Sequence, residues 1–230
     1  MKKILTLGII ILSIFIIYLT TIDRKVYFLA LGDQISLGQT TDNNEKNYNE
    51  YSTEYLKQKN KLEKSITEFS QQGYRITDII NDIKNNKELN NKITIKNALI
   101  KADLVTISIG TNDIITKIDT ENKLNNIDYN RLYKNIKEIL IDLEKLFDIL
   151  RQYCKEDIIL VGININTTDK KINEMIKFTN EKFKEISNKY RIIYIDCLEE
   201  KIENKIYPTK ENYKELGDRI IEIINKNLLK

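Results

Sequence analysis

The chain has 230 residues, 41% hydrophobic and 31% charged, which suits one α/β domain with an appendage better than two full domains. Lys and Arg number 37 against 34 Asp and Glu, a net charge of +3; the basic residues are scattered along the chain, so nothing in the composition points to nucleic acid. Histidine is absent, which excludes every Ser-His-Asp, Cys-His or His-ligated metal mechanism.

Met1-Lys2-Lys3 precedes an apolar run from Ile4 to Thr20, interrupted by Thr6, Gly8 and Ser13 and closed by Asp23-Arg24-Lys25. Its length, about 17–19 residues, is near the lower limit for a bilayer-spanning helix. Tyr18-Leu19-Thr20-Thr21-Ile22 offers no small-x-small cleavage site and no cysteine for lipidation, so residues 4–20 are expected to be an uncleaved single-pass membrane anchor. Residues 1–25 then form tail and anchor, and 26–230 the domain. The balance of Lys2 and Lys3 against Arg24 and Lys25 places the domain outside the cell.

Val26 to Leu31 is an apolar run ending at Gly32-Asp33-Gln34, a buried strand that stops at a tight corner. Tyr48, Tyr51, Tyr55, Leu56 and Leu62 fall at near-helical spacing and predict a helix to about Lys64. Ser65 to Ser70 alternates as a strand, Gln71-Gln72-Gly73 turns, and Thr77 is expected to cap a short helix carrying Ile79, Ile80 and Ile83. A further helix ends near Lys101. Ala102 to Ile109 is the clearest buried strand and stops at Gly110-Thr111-Asn112-Asp113, read as a turn. An amphipathic helix follows over Tyr129 to Leu150, then a strand from Asp157 to Ile165. Ile172 to Ile186 marks another helix, Arg191 to Asp196 a fifth strand, and Tyr213 to Leu228 a terminal helix. Strands alternating with helices imply about five parallel strands covered on both faces, a three-layer flavodoxin-like α/β fold. Cys154 precedes one strand and Cys197 follows another, so two free thiols are expected at opposite edges of the sheet.

Gly32, Gly73 and Gly110 each end a predicted strand, and Pro208 precedes the last helix. Together they mark one sheet edge, where open α/β sheets keep their chemistry. Leu29 to Gly38, Ala102 to Asp113 and Tyr207-Pro208-Thr209 to Gly217 resemble, in order, blocks of the SGNH (GDSL) hydrolases, the bacterial lipase and acylhydrolase-like family. The likeness implies that family's fold over Val26 to Lys230. It implies that Gly73 and Asn112 are the oxyanion-hole donors, with Gly32, Asp33, Gly110 and Asp113 as structural turn residues.

The same resemblance puts Gln34 at the nucleophilic serine, Asn204 at the aspartate and Tyr207 at the histidine. An amide is no nucleophile at neutral pH, and a phenol with a pKa near 10 is a poor base there. The expectation is a catalytically inactive, membrane-anchored pseudoenzyme that binds a cell-envelope ligand, glycan or acyl ester, or an envelope protein. No metal or cofactor is expected. The rival is an active esterase with a rewired nucleophile, for which Ser36 and Thr111 are the nearby hydroxyls.

Overall fold

The strand Val26–Gly32 (β1) carries no charged side chain and every residue of it is buried, as a strand covered on both faces requires. The structure, a computed structural model, describes residues 24–40, 45–119, 129–165, 167–197 and 207–229, the side chains of 117–119 excepted. The expected anchor (4–20) and Asn204 lie outside this set. No helix among the described residues is long and apolar enough to cross a membrane.

After β1 come α1 (Tyr48–Gln58), β2 (Leu62–Ser70), α2 (Ile76–Lys84), α3 (Ile95–Lys101), β3 (Leu104–Ser108) and α4 (Thr111–Asp119). Then follow α5 (Tyr129–Tyr153), β4 (Asp157–Val161), α6 (Lys170–Lys189), β5 (Ile193–Ile195) and α7 (Lys210–Asn227). The five strands are all parallel in the order β2-β1-β3-β4-β5. That is the doubly wound flavodoxin-like order, whose switch point lies between β1 and β3.

Alternation along β1 divides the core. Tyr27, Leu29 and Leu31 face a layer containing Ile79, Leu99, Leu143, Phe147 and Phe183, from α2, α3, α5 and α6. Phe28 and Ala30 face Leu56, Leu216, Ile220 and Ile224, from α1 and α7. Two capping boxes fix the helices of the second layer. Asn47 Oδ1 accepts from Glu50 N while Glu50 accepts from Asn47 N; Thr209 Oγ1 and the Asn212 carboxamide do the same for α7.

Several expected boundaries shift, each for a local reason. The first helix stops at Gln58 rather than near Lys64: Asn60 turns the chain at φ 55 and Val26 N donates to Lys61 O at 2.6 Å, so Leu62 begins β2 instead of ending a helix. Thr77 is not the cap of α2; Arg75 is, its N–H held by the Asp78 carboxylate at 2.8 Å. Thr111 begins a full helix rather than a turn. β4 ends at Val161, because β5 offers it only three residues to pair with, and Asn180 instead satisfies both Ile163 N and Ile163 O. The terminal helix starts at Lys210, where Thr209 caps it. Cys154 and Cys197 are both free thiols.

Gly32 and Gly73 are glycines for different reasons. Gly32 sits at φ +144, and a Cβ there would meet Ser108 O at 2.3 Å and Ser36 Oγ at 2.6 Å. Gly73 sits at φ +81 with nothing within 4 Å of an added Cβ. In urea unfolding, Gly73→Ala should cost about 1 kcal/mol of backbone strain. Gly32→Ala adds a collision with backbone and should cost about 3 kcal/mol or more.

Candidate active site

The C-terminal ends of β1, β2 and β3 converge at the switch point. Asp33 N donates to Ser108 O at 3.0 Å and Gln71 N to Gly32 O at 3.0 Å, so the loops leaving the three strands are stitched to one another. After Asp33 the chain coils once: Ser36 N bonds to Asp33 O and Leu37 N to Gln34 O. This coil turns the Gln34 side chain toward the ends of β2 and β3, and Gln34 is 3% exposed.

There the Gln34 carbonyl oxygen, Oε1, accepts from the Gly73 backbone N–H at 3.0 Å and from Asn112 Nδ2 at 2.9 Å. Gln34 Nε2 donates back to Asn112 Oδ1 at 2.9 Å, closing an amide–amide pair. The second Asn112 Nδ2 proton goes to Tyr74 O at 2.8 Å. Both groups expected as oxyanion donors therefore converge on one point, and a carbonyl oxygen of the chain itself occupies that point.

Gln34 has the length to do this. Its side chain beyond Cβ reads CH2–C(=O)–NH2, the same heavy-atom skeleton as an acetylated serine, O–C(=O)–CH3. The amide thus has the shape of an acyl group on serine, with its carbonyl oxygen between two donors. A tethered group of this kind competes at an effective concentration of about mM or more, so a dissolved ester meets a filled hole.

The other hydroxyls are engaged elsewhere. Ser36, 2% exposed, donates to Leu31 O at 3.1 Å and shares a 2.9 Å bond with the Tyr48 hydroxyl. Burial pushes the Tyr48 phenol further up from its ordinary 10, so it is no base for Ser36. Thr111 is buried at the start of α4. Tyr207 packs half-buried against the α1–α7 layer, and among the described residues it shares no hydrogen bond with Gln34, Gly73 or Asn112. Hydrogen bonds join Gln34, Gly73 and Asn112, while Tyr207 packs in the layer that holds Ile35, Tyr48 and Tyr213.

Two carboxyls sit beneath the hole. Asp33 is fully buried; its Oδ1 accepts from Ile35 N at 3.0 Å and Ser108 Oγ at 3.3 Å, and its Oδ2 has no partner. Burial raises it from 3.8 to about 7, and nearby Asp113 adds to the rise. Asp113 accepts from Ile76 N at 3.1 Å, tying α4 to α2, and burial raises it to about 6. Cys197 is raised by burial, then by the Asp33 charge, to about 12, so it is no thiolate nucleophile. Among the described residues no group of His, Cys, Asp and Glu could hold a metal ion.

Sequence reasoning put Gln34 at the nucleophile position but missed its pairing with Asn112, whose other amide proton goes to the Tyr74 carbonyl. The available signal was side-chain length, since glutamine is long enough to deliver a carbonyl where serine would deliver a hydroxyl.

Solved structures share this architecture. The lipase Lip_vut3 from goat rumen metagenome superposes with a TM-score of 0.68 at 16% identity, over 88% of this chain and 99% of that one. The acetylxylan esterase Axe2 from Geobacillus stearothermophilus gives 0.63 at 15%, over 87% and 94%. LAE5, an alpha/beta hydrolase enzyme from the metagenome of Lake Arreo, Spain, gives 0.62 at 13%, over 88% and 96%. At such identities the likeness is one of fold, the SGNH hydrolase fold. The model of the GDSL-like lipase/acylhydrolase family matches residues 30–219, and the chain belongs to that family. No curated protein matches its sequence.

Gln34→Ala leaves the Gly73 N–H and one part-buried Asn112 amide proton without their acceptor and should destabilise the domain by about 1 kcal/mol in urea unfolding. Two carboxyls whose folded pKa lies above the unfolded value bind protons on folding, so their stabilisation is full below about pH 4 and is lost as pH rises through 6 and 7. The melting temperature should therefore be higher at pH 5 than at pH 8, and Asp33→Asn should flatten that dependence.

Proposed function

We propose that this chain is a member of the GDSL family that no longer hydrolyses esters, held at a membrane by residues 4–20 with its domain outside the cell. It acts there by binding a component of the envelope. One observation carries the reading: the Gln34 carbonyl takes both oxyanion donors, Gly73 N and Asn112 Nδ2. A hydrolase needs that position empty for its substrate and a nucleophile beside it. Here one side chain fills the position and stands in for the nucleophile, as an uncleavable version of an acyl-enzyme.

The absence of histidine and the Tyr207 phenol at the expected base position support the same conclusion. Degeneration of Gln34, Asn204 and Tyr207 together is consistent chemically, since a buried carboxylate with no imidazolium to stabilise would only carry a desolvation penalty. The filled hole also bears on the ligand. An acyl ester seated with its carbonyl between Gly73 and Asn112 is disfavoured, so a glycan or protein partner would be met by groups around the hole rather than inside it.

The test is turnover of p-nitrophenyl acetate and acetylated glycans by the purified full chain in detergent, with fluorophosphonate labelling in parallel. Rates equal to buffer and no adduct are expected. Saturable turnover that Gln34→Ala abolishes, or an adduct mapped to Ser36 or Thr111, would overturn the proposal.

A further inference from the structure

The opposite edge of the sheet, where the strands begin, gathers charge that is dispersed along the sequence. Each helix leading into a strand ends there, and Lys57, Lys101, Arg151 and Lys189 lie in those last turns, joined by Lys226 of α7. Such placement complements the helix dipole and by itself would be a structural matter. The same edge also carries Arg24, Lys25, Lys59, Lys61, Lys155 and Arg191, none of which lies in a helix.

Contacts confirm that these groups share one face. Val26 N bonds to Lys61 O and Asp103 N to Tyr27 O. Arg24 pairs with Asp103 at 2.5 Å and Glu156 at 3.8 Å. The Arg151 guanidinium binds Glu156 O at 2.7 Å and Arg191 O at 2.6 Å, and Asn227 reaches Asp157 at 2.8 Å. The described acids on this edge are Glu63, Asp103, Glu156 and Asp157, with Glu144 reaching Lys189 at 3.2 Å; Arg24 answers Asp103 and Glu156, and the balance stays positive. The site edge, by contrast, mixes signs, with Glu45, Lys46, Glu50, Arg75 and Asp78.

The basic edge is also where the apolar run enters the domain. Only Thr21 to Lys25 separate Thr20 from the first residue of β1, a covalent reach of at most about 22 Å. If the run is in a bilayer, as proposed above, this edge is held within about three Debye lengths of the lipid headgroups at physiological salt.

We propose that the strand-start edge is a docking surface for anionic lipid headgroups of the membrane that holds the anchor. Lys25, Lys59 and Arg191 are its exposed contacts, and Lys155 flanks them. Docking on this edge seats the domain upright, with the Gln34 edge turned away from the bilayer toward whatever it binds. Attraction between juxtamembrane Lys or Arg and anionic lipid is additive and salt-sensitive.

The inference rests on the anchoring reading, and one experiment separates the two. The full chain is reconstituted into lipid nanodiscs of phosphatidylcholine, with or without about 30 mol% phosphatidylglycerol, and amide hydrogen exchange is followed at residues 57–62, 152–157 and 188–192. Exchange at these segments is expected to slow about threefold or more in the anionic discs, to recover in about 0.5 M NaCl, and to be insensitive to lipid in Lys25→Gln/Lys59→Gln/Arg191→Gln. The site-edge segment 71–75 should not respond. A chain that stays with the discs but exchanges equally in both lipids overturns the docking alone. A chain that does not stay with the discs overturns the anchoring, and the docking with it.

Discussion

Two hydrogen bonds to one oxygen, from the Gly73 N–H and from Asn112 Nδ2 to Gln34 Oε1, hold the upper edge of this molecule together. They tie the loop after β2 and the first turn of α4 to the corner after β1, across the switch point of the sheet. Unpaired donors in a half-buried site are costly. Here the chain supplies the acceptor itself. The donors are satisfied within the chain and the loops are cross-linked. On the function proposed above, gain in local order and loss of chemistry follow from the same side chain.

Beneath that cross-link the inherited framework persists. Asp33 still stitches the corner, accepting from Ile35 N and Ser108 Oγ, and Asp113 still anchors the start of α2 through Ile76 N. Both are carboxyls in an apolar setting, with burial as the first cause of their upward shifts. Asp33 keeps one oxygen unpartnered, which is tolerable when the group is protonated and awkward when it is not. The turn geometry needs an acceptor at Oδ1, and that need explains an aspartate here irrespective of catalysis.

Much of this was legible from residues alone. The three glycines at strand ends, the apolar runs of β1 and β3, and the Gly-x-Asn-Asp phrase located the sheet edge and its donors, because backbone geometry demands those residues locally. Leu62 was misread because its spacing from Leu56 fits a helix, while its true role depends on pairing with Val26, a contact 36 positions away. Thr77 was a sound local cap overridden by the burial of Ile76. The Gln34–Asn112 pair was invisible to pattern reading for a related reason: it joins residues 78 apart, and only the fold shows that they meet. The basic edge is the same lesson in charge, since basic residues scattered along the sequence converge where parallel strands begin.

The central claim is that the Gln34 carbonyl is bound in solution by the Gly73 N–H and the Asn112 side-chain amide. Through-hydrogen-bond NMR coupling reports this directly, from the Gly73 amide nitrogen to the Gln34 side-chain carbonyl carbon. The account predicts a detectable coupling that persists, with an unchanged Gly73 amide shift, when excess phenyl acetate is added. Absence of the coupling, or its loss on adding the ester together with a shift of the Gly73 amide, would contradict it.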